Sequence, residues 1–458
     1  MEQVDSVHMH CFPRTATKAS YQTVKAARIE NGLKTLAFWL MLFVPVFAVF
    51  ELASHIIVKR AVPSRILHRA YGGESVALVK QAKHSADSPR VVRAVATTNQ
   101  ADGLALFHPV LGWDYPPGLN YEDNEGISYS HGMQGERRCV TDFDTTLIAS
   151  YGDSFTYCAG VTDEHTWQNF LGEKLGTNVL NFGVGGYGTD QALLKYELHD
   201  GLPPKIAMLC VFPENVNRVV NIYRPFYTYS DSLRLTKPFF VRDGDKIRLI
   251  PNPITSVADL PKLDQEEYLE ELGKVDYWYQ LDRNLPKFSF PYTLSFLSWR
   301  GPVFAQLVAQ LGKFSTRRSR HPWNLFDEDG PLSIMCYIAD RFVATARSRG
   351  SEPLIVIMPY KDFVTEINDN GVVRVAGFLE YLSAKGYPFL DAVKCVADMK
   401  PSKDDLEKWY EEHASGEGNK VLADILSRYL LANYSYFNGA PGKRATDPKL
   451  VRADVKAP

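Results

Sequence analysis

A short, mainly apolar run that breaks at once into small polar residues constrains the fold of this chain more than any other stretch. The run is Thr146–Tyr151, and Gly152-Asp153-Ser154 follows it directly. Such a run is typical of a buried strand that turns sharply at the edge of its sheet. Ser154 lies on that predicted turn, where a serine hydroxyl can face a cleft with backbone N–H groups behind it.

The same arrangement recurs further along the chain. A glycine-rich loop at residues 181–188 follows a second apolar run, and Asn215 follows a third. Near the C-terminus, His413 precedes a segment of small and polar residues at 414–419. Serine, glycine, asparagine and histidine therefore occur in this order, the first three of them at the ends of predicted strands.

Helical patterns alternate with these strands. We predict strands at 146–151, 178–180, 206–212, 354–358 and 389–390, and helices at 167–175, 189–199, 332–347, 372–385 and 418–431. Strands that alternate with such helices favour a parallel sheet covered on both faces. The sequence therefore predicts an α/β fold, a three-layer α/β/α flavodoxin-like sandwich with about five parallel strands.

Residues 213–330 form an insertion that such a fold does not require. Within it, an Asp-Gly pair between two apolar runs predicts a hairpin at residues 239–249. A later helical pattern at 303–311 precedes a basic cluster, Arg317, Arg318 and Arg320. Two interpretations stay open for the insertion: a lid or membrane-surface patch, and a packed subdomain with a solvated basic loop.

An apolar segment near the N-terminus is long enough to cross a membrane. Residues 36–50 are continuously apolar, and a spanning helix needs about 20 such residues. Glu51, Ser54 and His55 interrupt the last third of the segment, where we expect them near the interface. A cleaved signal peptide is the alternative, although no Ala-x-Ala site follows. We divide the chain into an N-terminal tail (1–34), a transmembrane anchor (35–58), a linker (59–104), a folded domain (105–435) and a C-terminal tail (436–458).

Composition argues against several classes of function. The net charge is −2, with 51 Lys and Arg against 53 Asp and Glu, and it gives no indication of the basic face of a nucleic-acid-binding protein. The six cysteines lack Cys-x-x-Cys spacing, which indicates neither a zinc site nor a dense disulfide framework. We expect no nucleic-acid partner, no metal and no cofactor, and leave a single disulfide open.

The serine, glycine, asparagine and histidine segments together resemble the SGNH hydrolases, also called the GDSL esterase and lipase family, over roughly residues 105–432. The resemblance implies that Ser154 is the nucleophile and His413 the base. It also implies an oxyanion hole formed by the backbone N–H groups of Ser154 and Gly186 and by the side-chain amide of Asn215. The family loop Asn-x-Gly-x-x-Gly matches residues 181–186.

Two positions depart from the family pattern. Val216 follows Asn215 where many members have an aspartate, and the other position leaves the acid of the triad open. Tyr410 stands where the family usually has the aspartate of Asp-x-x-His. Glu411, two residues before His413, is our first candidate for the group that orients the imidazole. The alternatives are Glu412, Asp405, a backbone carbonyl, or a Ser-His dyad without an acid.

The resemblance implies a membrane-anchored serine esterase or deacetylase that cleaves an O-acyl bond of a glycan, a lipid or a small ester. Anchored members act mostly on envelope or extracellular esters, so we expect a single-pass protein with its domain on the periplasmic or extracytoplasmic side. Basic residues flank both ends of the anchor and favour this orientation only slightly. Two other functions stay open: an O-acyltransferase, or its partner in envelope polysaccharide modification, and a non-catalytic binding module. The sequence gives no indication of the oligomeric state.

Overall fold

A five-stranded parallel sheet lies at the centre of the computed structural model, which describes residues 18–61, 106–123, 125–199, 201, 203–227, 233–284, 290–294 and 324–437. Its strands, in chain order, are β5 (Thr146–Tyr151), β6 (Asn178–Asn181), β7 (Ile206–Val211), β10 (Glu352–Ile357) and β11 (Phe389–Asp391). Their order across the sheet is β11-β10-β7-β5-β6. The predicted α/β fold class and all five predicted strands are confirmed.

Three two-stranded antiparallel sheets accompany the central sheet. Their strands are β1 (Leu106–His108) with β2 (Gly112–Asp114), β3 (Asn120–Glu122) with β4 (Ser128–Ser130), and β8 (Phe239–Asp243) with β9 (Lys246–Ile250). The β8–β9 pair is the predicted hairpin. Because Asp243 pairs with Lys246, the two turn residues are Gly244 and Asp245, and Gly244 takes the positive φ of +61° that the turn requires.

Helices flank the central sheet in two groups. The helices, in chain order, are α1 (Lys18–Ala61), α2 (Ser154–Tyr157), α3 (Trp167–Leu175), α4 (Thr189–Leu198), α5 (Val216–Val219), α6 (Arg224–Tyr227), α7 (Glu266–Gly273), α8 (Tyr277–Asn284), α9 (Asp329–Ser348), α10 (Lys361–Asn370), α11 (Ala376–Ala384), α12 (Ala392–Asp398), α13 (Lys403–Trp409) and α14 (Gly416–Asn433). Helices α3 and α12 pack against α14, and α4 and α11 pack against α9. The sheet between the two groups is mostly apolar, and every residue of β7 is buried, as expected for strands covered on both faces.

The anchor prediction falls within α1. Residues Arg28–Ile56 of this helix have a mean hydropathy of 2.2, and this is the one stretch among the described helices that is long and apolar enough to cross a membrane. Pro45 lies inside the helix without ending it. Most of the predicted linker lies outside the described residues, as do the 303–311 pattern, the three arginines that follow it and residues 438–458. The folded domain extends slightly beyond the predicted 435, because Phe437 is still buried.

The described part of the insertion packs into the domain. Phe239 and Phe240 of β8 are fully buried, and the Phe240 ring contacts the ring of Tyr337 in α9. Lys237, just before β8, forms a fully buried ion pair with Asp190 in the first turn of α4. These contacts favour the packed-subdomain interpretation for residues 233–284.

Candidate active site

Ser154 lies where the central strand β5 ends and the chain turns into a helix. Asp153 caps the four-residue helix α2, and its carboxylate accepts a hydrogen bond from the Phe155 N–H at 3.0 Å. Ser154 is therefore the first residue of a helix, where the backbone N–H has no partner within the helix. Because β6 and β7 flank β5, the loops that follow all three strands lie at the same edge of the sheet.

His413 comes to this edge from the far end of the chain. Its Nε2 atom lies 2.8 Å from the Oγ atom of Ser154, although the two residues are 259 positions apart. The histidine lies on a tight loop in which Tyr410 and Ala414 pair as an isolated bridge. Ser415 then caps α14 by accepting from the Gly418 N–H at 3.2 Å, which fixes the end of this loop.

The environment of His413 favours a neutral imidazole. Burial, together with the positive charge of Arg218, lowers the pKa of His413 to about 4. The ring also packs against Phe155, with 5.0 Å between ring centroids. At neutral pH the imidazole is therefore deprotonated, and its Nε2 can accept the proton of the Ser154 hydroxyl.

No carboxylate binds the other ring nitrogen of His413 within the part of the chain that the structure describes. The side chains of Glu411 and Glu412 are exposed, and Glu411 contributes its backbone carbonyl, which accepts from the Tyr360 hydroxyl at 2.9 Å. Asp405 is engaged elsewhere, since it accepts from the backbone and hydroxyl of Ser402 at the start of α13. The structure thus brings together a Ser-His pair without a carboxylate in contact with the histidine.

Two of the three groups predicted for the oxyanion hole have donors without a partner among the described residues, and the third lies beside a carboxylate. Neither the Ser154 nor the Gly186 backbone N–H donates to another described residue. The Asn215 side chain is buried. It acts as a hydrogen-bond partner of the Asp153 carboxylate and helps to lower the pKa of that group against the raising effect of burial. The Asn215 amide is therefore held beside Asp153, but it makes no hydrogen bond of good geometry in the resting structure.

The glycine-rich loop packs directly on the helix that carries Ser154. The Val184 N–H donates to the Gly152 carbonyl at 3.1 Å, which holds the loop beside the end of β5. A Cβ atom on Gly183 would lie 2.2 Å from the backbone nitrogen of Tyr157, so only glycine allows this approach. Gly186 has a φ of +78°, which also favours glycine.

Arg218 is a site residue that the sequence analysis missed. Its guanidinium donates to the Asp153 carboxylate at 3.3 Å, to the Tyr187 carbonyl at 3.0 Å and to the Glu214 carboxylate at 3.0 Å. One side chain therefore links the loops of Ser154, Gly186 and Asn215. The spacing of Glu214 and Arg218, four residues apart, is typical of an ion pair on a helix. No local sequence pattern indicates the contacts of Arg218 with Asp153 and Tyr187.

No group of three or more His, Cys, Asp and Glu side chains that could hold a metal ion occurs among the described residues. The five cysteines in those ranges are free thiols: Cys139, Cys158, Cys210, Cys336 and Cys395.

Comparison with known proteins gives no match to a family model or to a curated protein. Among solved structures, this chain is similar to a protein from Desulfitobacterium hafniense described as a lipolytic protein of the G-D-S-L family, with 14% identity over 62% of this chain and 99% of that chain and a TM-score of 0.29. A G-D-S-L family protein from Veillonella parvula shows 11% identity over 64% and 99% of the two chains, with a TM-score of 0.28. LAE5, an alpha/beta hydrolase from the metagenome of Lake Arreo in Spain, shows 11% identity over 64% and 97%, with a TM-score of 0.29. Because these identities and TM-scores are low, a function for this chain has to be inferred from the geometry around Ser154 and His413.

Proposed function

We propose that this chain is a serine esterase or deacetylase of the SGNH hydrolase type, which cleaves an O-acyl bond through an acyl-enzyme. The observation that carries the proposal is the 2.8 Å contact between Ser154 Oγ and His413 Nε2. A serine within hydrogen-bond reach of a neutral imidazole is the arrangement that activates a hydroxyl as a nucleophile. The unpaired backbone N–H groups of Ser154 and Gly186, with the Asn215 amide at the same edge of the sheet, support the assignment.

In the proposed mechanism, Ser154 Oγ attacks the ester carbonyl carbon while His413 Nε2 takes the hydroxyl proton. The carbonyl oxygen becomes an oxyanion, which the N–H groups of Ser154, Gly186 and Asn215 stabilise. The bond to the alcohol then breaks, and the leaving oxygen takes the proton from His413. A water molecule repeats the sequence on the acyl-serine, with His413 first accepting its proton and then returning one to Ser154, so that a carboxylic acid leaves.

Glu411 remains our candidate for the acid that supports His413, with a modest role. Its side chain is exposed and makes no hydrogen bond to the imidazole within the described structure, so the chemistry runs chiefly on the Ser-His pair. An exposed carboxylate two residues away stabilises an imidazolium only weakly, since solvent screens the interaction.

The anchor and the substrate class belong to the same proposal. We place α1 across a membrane as a single span, with the domain on the periplasmic or extracytoplasmic side. The substrate would then be an acylated glycan, a lipid or a small ester on that side. The length and hydropathy of Arg28–Ile56 support the span.

A fluorophosphonate probe and p-nitrophenyl acetate test the reaction. We expect Ser154→Ala to abolish labelling, and Ser154→Ala and His413→Ala each to lower kcat/KM by roughly 10⁴-fold or more, since the two residues act as a unit. Glu411→Gln should retain a large part of the activity. Ser128→Ala, at an exposed serine of β4, is the matched control.

Two results would overturn the assignment. Wild-type activity in His413→Ala would remove the base, and unlabelled wild-type protein would leave a non-catalytic binding module on the same fold. With an excess of a model sugar, release of acetate without transfer supports hydrolysis, whereas transfer to the sugar hydroxyl points to the O-acyltransferase alternative.

A further inference from the structure

The last turns of α1 carry a polar face that the rest of the apolar helix lacks. Glu51, Ser54 and His55 are spaced i, i+3 and i+4 and so share one side of the helix. Glu51 and Ser54 are buried, each with only 7% of its surface exposed, whereas Phe50 and Leu52 beside them are exposed. Some part of the protein therefore covers this face selectively.

Residues 290–294 of the insertion provide that cover. The Glu51 carboxylate accepts hydrogen bonds from the backbone N–H of Thr293, at 2.9 Å, and from that of Tyr292. The Ser54 hydroxyl lies 3.3 Å from the hydroxyl of Thr293. The rings of His55 and Tyr292 lie 5.1 Å apart, so all three polar residues of α1 contact this one segment.

The contact is complementary in a medium without water. An isolated carboxylate in a membrane-spanning helix is costly, and so is a backbone N–H without an acceptor. Here the Glu51 carboxylate accepts from the N–H groups of Tyr292 and Thr293, so both kinds of group have a partner. With its polar face covered, α1 continues the apolar surface of residues 36–50 toward Ile56.

The same segment also continues the apolar surface. Phe290 packs edge-on against Phe47, which lies inside the uninterrupted apolar run of α1, with 6.1 Å between ring centroids. Phe290 and Leu294 are nevertheless 68% and 62% exposed. Large apolar side chains exposed beside a spanning helix mark a surface for lipid.

We propose that residues 290–294 dock on α1 at the membrane interface, with Phe290 and Leu294 in contact with lipid acyl chains. The proposal rests on the membrane span of α1 and is independent of the esterase assignment. The partner is the bilayer itself, chosen because the exposed pair is continuous with the apolar surface of α1.

The docking holds the candidate active site close to the bilayer. Helix α8 ends at Asn284, six residues before Phe290, and six residues of chain reach at most roughly 20 Å. In α8, the indole N–H of Trp278 donates to the backbone carbonyl of Asn217 at 2.8 Å, two residues after Asn215. The insertion is therefore a second connection between the domain and α1, and it limits how far Asn217 can lie from the membrane surface.

Photo-crosslinking of the full chain in phosphatidylcholine vesicles tests the lipid contact. Benzoylphenylalanine replaces Phe290 or Leu294, with Trp39 of α1 as the positive control and Met133, 81% exposed on the domain, as the negative control. We expect lipid adducts at 290, 294 and 39 and none at 133. Adducts at 39 without adducts at 290 and 294 overturn the docking while the span stands, and no adduct at 39 overturns both.

A second set of variants tests the role of Glu51. In the chain that carries the crosslinker at 290, Glu51→Ala removes the acceptor of both N–H groups, and we expect the lipid adduct to fall several-fold. Glu51→Gln keeps one acceptor oxygen and should retain most of the adduct, and Leu52→Ala on the exposed side should leave it unchanged. An equal adduct in Glu51→Ala overturns the docking contact. Fluorophosphonate labelling of Ser154 in each variant reports separately on the esterase site.

Discussion

The protonation of His413 is governed by groups that can be changed one at a time. Because burial and Arg218 lower the pKa of this residue to about 4, the imidazole is neutral from about pH 5 upward. In the proposed mechanism the neutral form is the base, so kcat/KM should be constant from about pH 5 to pH 7 and fall as the pH drops through about 4. In Arg218→Met the positive charge is lost, the pKa of His413 rises, and the acidic limb should move to higher pH.

The pH profile of p-nitrophenyl acetate hydrolysis measures this effect. Arg218→Lys keeps a positive charge and should move the acidic limb less than Arg218→Met does. Arg242→Met, in the exposed hairpin, is the control and should leave the profile unchanged. If Arg218→Met lowers the rate but leaves the acidic limb of the profile at the same pH, Arg218 acts only by linking the three loops.

The Asn215 amide should matter for the transition state and little for the ground state. Asn215→Ala removes a buried amide that makes only a loose contact with Asp153 in the resting structure, and loss of one oxyanion-hole donor typically lowers kcat by about 10²–10³-fold. We expect KM to change little. Asn217→Ala, two residues away, is the matched control, because its described contact with Trp278 is through the backbone carbonyl. Equal kinetics for the two variants would argue against the role of Asn215.

Among the elements, the glycine-rich loop and α2 depend most on each other. A Cβ atom on Gly183 would lie 2.2 Å from the backbone of Tyr157, so Gly183→Ala must displace α2 or the loop. We expect a loss of about 1–3 kcal/mol in the free energy of unfolding and a loss of activity larger than unfolding explains. A Cβ atom on Gly185 has its nearest neighbour at 3.4 Å, at the end of the Tyr115 side chain. Gly185→Ala should therefore remain close to wild type in urea unfolding, and a reversed order would contradict this packing.

The elements that the sequence predicted are those whose signals are local. The five strands follow from short apolar runs that end at glycine, proline or polar residues, and the hairpin at 239–249 follows from its Asp-Gly pair. The helix predicted at 372–385 begins instead at Ala376 and ends at Ala384. Helix α10, which packs on α12, was not predicted, although Phe363 and Val364 on it are buried. The convergence of Ser154 and His413 was predicted from resemblance alone, since no local pattern reports a contact across 259 residues. For the same reason, the contacts of Arg218 with Asp153 and Tyr187 could not be predicted from the sequence.

For the molecule as a whole, the buried ion pair between Lys237 and Asp190 joins the insertion to the sheet domain. Both side chains are fully buried, and removing one partner of such a pair leaves an uncompensated charge that typically costs about 3–5 kcal/mol. Lys237→Met should lower the free energy of unfolding by about that amount. Lys246→Met, at an exposed position of β9, should change it by less than about 0.5 kcal/mol. Urea unfolding of both variants measures the difference, and equal midpoints would show that the insertion is held by other contacts.

The burial of Phe239 and Phe240 has a consequence for any shortened form of this chain. The predicted insertion runs from residue 213 to residue 330, yet both rings of β8 are buried and the Phe240 ring packs against Tyr337 of α9. Deletion of residues 213–330 would remove both buried rings and leave a cavity beside α9.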